Sequence, residues 1–107
     1  MTFTKDFKET VNARIQRDSA FATVLLDEAI YLFLNGEPET ARLILRELVN
    51  ATVGFEELAI KTSIPSKSLH RMLSAKGNPT MDNLTTIFDV LRKTLNVDFK
   101  VETVARV

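Results

Sequence analysis

The side chains with chemical reach gather in one stretch of the chain. Positions 58–81 hold Lys61, Lys67, Arg71 and Lys76 in 24 residues without one Asp or Glu, leaving ten basic against fourteen acidic side chains elsewhere. Cations at this spacing, interleaved with the hydroxyls of Ser66 and Ser68 and the imidazole of His70, suit phosphate oxygens and base edges, because ammonium and guanidinium groups donate hydrogen bonds to both. A formal net charge of +0 argues against a generally sticky polycation, but the distribution of charge decides local binding more than its sum. The bland alternative is a solvated face that drew no carboxylates.

Other chemistries find less support. His70 is the only histidine, and 58–81 offers no carboxylate to orient it, so a surface or phosphate-facing imidazole outweighs a general base. Glu56 and Glu57 are neighbours and diverge by about 100° on a helix, which points to a solvated face rather than an acid–base pair. Gly77-Asn78-Pro79 contains one glycine and no following Lys-Ser/Thr pair, so it is a turn and not a phosphate-cradling loop. Without cysteine there is no thiol nucleophile, disulfide framework or zinc finger. No metal, cofactor or catalytic residue is expected, and the chain is not read as an enzyme. Its 107 residues, 45% of them apolar, fit one compact unit. Apolar runs such as 30–34 fall far short of the roughly 20 residues a bilayer span needs, and the N-terminus lacks a signal-type apolar region. The expectation is a soluble cytoplasmic protein with no membrane partner.

Elements that would position the basic stretch can be read on both sides of it. Phe3, Phe7, Val11 and Ile15 recur every four residues, predicting an amphipathic helix over 4–16 with Thr2 or Thr4 as its cap. Asp18 caps a second helix over 19–34, which stops at Asn35-Gly36, and Pro38 opens a third over 38–50. The second is apolar on most sides, interrupted only by Thr23, Asp27 and Glu28; such a helix must be buried on most sides, which favours some intermolecular burial. The third places Ala41, Ile44, Leu45 and Leu48 inward and Glu39, Arg42, Arg46 and Asn50 outward, and reads as scaffold. Short helices follow over 55–62 and from 65 or 66 to 73, joined by a tight turn at Ser63-Ile64. Thr80 caps a last long helix striped by Leu84, Ile87, Phe88, Leu91 and Leu95. At 97–103 the period drops to two, with Val97, Phe99 and Val101 alternating with Asp98, Lys100 and Glu102, predicting a strand. Since a lone strand leaves its backbone unsatisfied, it is expected to pair with a second subunit or a partner chain.

Two short helices joined by a few residues, the second one basic, are what a helix-turn-helix requires. Leu58, Ala59, Ile64, Leu69 and Met72 supply the locking apolar positions, and Ser66, Lys67, His70 and Arg71 the outward row of the second helix. The stretch 55–72, FEELAIKTSIPSKSLHRM, resembles the phage-repressor (Xre-type) helix-turn-helix through Leu58-Ala59, Ile64 and Ser68-Leu69, with Ser63 standing where many of that family have Gly. The continuation SLHRMLSAKGNPTMDNL more narrowly resembles the HigA-type addiction-module antitoxins. The resemblance covers about 37–103. It implies base contacts at Ser66, Lys67 and Arg71, phosphate contacts at Lys61, Ser68, His70 and Lys76, and a partner that is a small RelE- or HigB-like ribonuclease toxin.

The combined expectation is a mainly α bundle of five or more helices containing a helix-turn-helix, with one C-terminal β-strand paired across a dimer. Residues 1–36 form an N-terminal helical extension, 37–96 the DNA-binding unit, and 97–107 the strand and tail. The function expected is a sequence-specific regulator binding a palindromic operator as a homodimer, acting as an autorepressing antitoxin. The alternative is an interaction module of the same shape that binds only protein.

Overall fold

A computed structural model describes residues 4–107, the side chain of Gln16 excepted; Thr2 and Phe3, named above as cap and stripe residues, lie outside the described residues. Helix α1 spans Lys5–Arg17 and begins where the Thr4 hydroxyl accepts the Phe7 N–H at 3.1 Å, the satisfaction of an orphan donor that favours Thr at this position. Asp18 both ends α1 and caps α2 (Ser19–Leu34), its carboxylate accepting the Ala20 N–H at 3.1 Å. After Asn35, Gly36 turns the chain at φ 84°, and α3 follows over Pro38–Ala51. Gly54, at φ 80°, redirects it into α4 (Phe55–Thr62), then α5 (Ser66–Met72) and α6 (Met81–Leu95). The Thr80 hydroxyl caps α6 by accepting the Asn83 N–H at 3.1 Å.

One hydrophobic cluster runs through the molecule, from Val11 and Ile15 of α1, through Ala22, Leu26 and Ala29 of α2 and Leu45, Leu48 and Val49 of α3, to Leu58, Leu69, Ile87 and Leu91 of the later helices. α2 lies along α3, and α1 packs on both. A Lys8–Glu47 ion pair at 3.8 Å ties α1 to α3 and accompanies the burial of the Glu47 carboxylate, which apolar surroundings would otherwise penalise. α4 and α5 pack on each other, and α4 also rests on α6.

Two expectations change. The alternating segment at 97–103 is not a strand: among the described residues there are six helices and no sheet, so the mainly α class holds and the C-terminal strand is withdrawn. Alternation records which side chains can face a surface, whereas a strand needs a second backbone to exchange hydrogen bonds with, and among the described residues there is no strand to supply one. The tail is held instead by side chains. Arg92 donates to Asp98 at 3.0 Å, and Phe99 meets Phe88 edge-on at 6.3 Å, as Phe88 meets Phe33 at 6.0 Å. The second change lies in α3, where Arg42 and Arg46, expected outward, are half-buried and turned towards the segment that follows α4.

Candidate nucleic-acid interface

The turn between α4 and α5 is set by Ser63, which takes a left-handed conformation at φ 58°. A side chain there costs roughly 1–2 kcal/mol relative to right-handed backbone, so this serine occupies a conformation that glycine adopts more readily. The neighbouring Thr62 hydroxyl donates to the Leu58 carbonyl at 2.7 Å and accepts the Ile64 N–H at 3.3 Å, securing the turn from within. Pro65 then fixes φ at −56° ahead of α5, and its carbonyl accepts the first helical bond from the Leu69 N–H at 3.1 Å. Leu58 and Leu69 are fully buried, with Ala59, Ile64 and Met72 packed around them. These are the five locking positions expected from the sequence.

What faces away from that lock is cationic. Lys67 and Arg71, one helical turn apart on α5, are exposed, and neither is drawn into an ion pair with the rest of the described chain. Ser66 and Ser68 are half-buried beside them, and Lys76 is exposed in the loop after the helix. Lys61 is not brought to this row. It pairs with Glu57 at 3.7 Å and borders a shallow groove with Asp89, Lys93 and Thr94 of α6.

His70 also differs from the outward placement. Its ring stacks on Phe55 at a centroid distance of 3.9 Å and 18° between planes, and Nδ1 lies 3.3 Å from Nη2 of Arg46. Placing the proton on Nε2 completes that arrangement, since Nδ1 then accepts. The Arg46 guanidinium in turn lies 5.9 Å from the Phe55 ring centroid, within reach of a cation–π contact. His70 thus serves as an internal brace between α4, α5 and α3.

The same arginine closes the far end of α5. Arg46 Nη1 donates to the His70 carbonyl at 2.9 Å, while one turn earlier on α3 Arg42 donates from Nε to the Ser74 carbonyl at 3.0 Å and from Nη2 to Ala75 at 2.6 Å. A helix C-terminus leaves carbonyls without intrahelical donors, and two guanidinium groups with forked donors answer that need with favourable charge. Sequence reasoning missed this function for α3. The available signal was the four-residue spacing of two arginines preceding a short helix without a C-terminal glycine cap.

Gly77 completes the bracket from the other side. A Cβ there would meet the carbonyl oxygens of Met72 and Arg71 well inside 3.0 Å, so the Gly-Asn-Pro-Thr block has a local rationale: glycine passes beneath the end of α5, and Thr80 caps α6. The basic helix is therefore gripped at its turn, its buried face and its C-terminal end, with its cationic row left free.

Comparison with family models, with curated proteins and with solved structures returns no match for this chain. Among the described residues there is no cluster of metal-ligating side chains, and no helix is long and apolar enough to cross a membrane.

Proposed function

We propose that this protein is a sequence-specific DNA-binding regulator whose α5 enters the major groove. The observation that carries the reading is the exposed, unpaired Lys67–Arg71 row on a short helix braced from behind by Arg42, Arg46, Phe55 and His70. A reading element must be rigid in order to hold its donors against base edges. Arg71 takes the role of bidentate donor to a guanine, worth roughly 1–3 kcal/mol of discrimination; Lys67 contacts a base or phosphate, and Ser66, Ser68 and Lys76 supply further polar contacts. The family resemblance extends the proposal to an autorepressing antitoxin that pairs with a RelE- or HigB-like toxin and binds a palindromic operator as a homodimer, its recognition helices about 34 Å apart.

Mobility shift on the DNA upstream of its own gene tests the reading. Binding is expected to weaken steeply between 50 and 300 mM salt through counterion release, and Arg71→Ala to flatten the preference for operator over scrambled DNA. Binding insensitive to salt, or unaltered selectivity in Arg71→Ala, overturns the assignment. Co-purification with the product of an adjacent gene tests the antitoxin role.

The protein-only alternative draws on a different observation, the apolar side chains that α2 and the tail leave in solvent. It predicts no operator binding at any salt concentration.

A further inference from the structure

Away from α5, the outer side of α2 and the C-terminal tail enclose an open groove of about 970 Å³ between Asp27, Ile30, Tyr31 and Leu34 on one wall and residues 99–106 on the other. Its apolar side chains lie largely in solvent: Tyr31 is 59% exposed, Leu34 64%, Val101 71% and Val104 74%. Val24, also exposed, continues the row seven residues before Tyr31, on the same helical face. Scattered exposed hydrophobics are ordinary, but a contiguous row beside a groove marks a contact surface.

The charges on this face indicate what covers it. Asp27 and Glu28 stand exposed on α2, Lys100 and Arg106 on the tail, and none of the four is drawn into an ion pair with the rest of the described chain. Of the tail's four charged side chains, Asp98 is taken up by Arg92 of α6 at 3.0 Å and Glu102 lies between the two cations, so residues 99–106 keep an excess of one positive charge. One surface thus carries an acidic helix half and a basic tail half flanking an apolar centre. A basic partner would be repelled by the tail and an acidic one by α2. A second copy related by a two-fold axis sets each acidic half against the other's basic half, which is the self-complementarity an isologous interface demands. The 16-residue α2 supplies one side of this face along about 24 Å.

We infer that the α2–tail face is the homodimer interface of this protein, with Asp27 and Glu28 of each copy opposite Lys100 and Arg106 of the other. The inference deepens the DNA-binding reading by naming the face that would join two recognition helices, yet it is tested without DNA, so either can fail alone.

Sedimentation of the full chain up to about 100 µM, a range that captures micromolar self-association, provides the test. The unaltered chain is expected to dimerise. One variant carries Asp27→Lys and Glu28→Lys, another Lys100→Glu and Arg106→Glu; each alone is expected to associate at least ~10-fold more weakly, because like charges then oppose each other. Mixed one to one, the two variants present acid to base at both ends and are expected to recover the dimer. Val104→Asp probes the apolar centre independently and is expected to weaken the dimer as well. A monomeric unaltered chain, charge variants that dimerise as well as the original, or a mixture that stays monomeric each overturns the inference.

Discussion

The molecule has two faces of opposite character. Around α5 the polar groups find partners: Arg42 and Arg46 reach the carbonyls at and beyond its C-terminus, Thr62 bonds on both sides of the turn, and His70 lies between Phe55 and Arg46. Along α2 and the tail, valines, a tyrosine and a leucine stand in solvent, and the backbone of 98–106 forms no backbone hydrogen bonds within the described chain. The lesson of the difference is physical. A helix held at its turn, its buried face and its end is over-determined by its supports, whereas exposed apolar side chains leave their contacts open.

The comparison breaks most plainly if truncation costs the same on both faces. Leu58→Ala, at a fully buried site, is expected to lose about 3 kcal/mol in chemical denaturation. Tyr31→Ala and Val101→Ala, in contrast, are expected to stay within about 0.5 kcal/mol when measured at concentrations where the chain is monomeric. A loss above 2 kcal/mol from Val101→Ala would mean the tail belongs to the core. Next in size, Gly77→Ala forces a Cβ against the carbonyls ending α5 and is expected to cost about 2 kcal/mol, with α5 amides exchanging faster in hydrogen-exchange measurements.

Arg46→Ala sharpens the support side of the contrast. It removes the donor to the His70 carbonyl, a charge-assisted bond whose loss is expected to cost about 1.5 kcal/mol, and to weaken operator binding even though Arg46 faces the protein. Ser63→Gly acts in the opposite direction. Relieving a left-handed serine at φ 58° is expected to stabilise the fold by about 0.5 kcal/mol, the gain being partly offset by the greater chain entropy of glycine.

The smallest effect concerns how the tail is tethered. Hydrogen bonds from Lys93 and Arg92 hold the Asp89 carboxyl below its ordinary value of 3.8, while Arg92 also reaches Asp98. A carboxyl lowered on folding stabilises the folded chain above its unfolded value, and that contribution disappears as pH falls through the folded value. A small stability deficit in Asp89→Asn is therefore expected at neutral pH and should shrink as pH falls below 3.8 and vanish beneath the lowered folded value. The pair lies at the surface, where screening keeps the effect slight. A deficit that persists in acid would show that the side chain acts through something other than its charge.

Much of the architecture follows from rules with a reach of a few residues. Thr4, Asp18 and Thr80 cap the helices assigned to them because a cap satisfies a backbone donor two or three residues away. Leu58, Ala59, Ile64, Leu69 and Met72 pack as their spacing requires. The alternation at 97–103 misleads for the complementary reason: local pattern specifies facing, while pairing depends on a distant backbone that the described residues do not provide.

The sequence by itself determined where the helices start and stop and that a basic row would lie on the second of two short helices, since each of these depends on neighbours in the chain. Only the tertiary structure decided that Arg42 and Arg46 turn inward to close α5, that His70 braces rather than projects, that Lys61 sits by α6, and that the tail lies across a groove from α2. Those outcomes depend on which carbonyls, rings and surfaces arrive from 20 or more residues away, and one-dimensional spacing carries no record of such meetings.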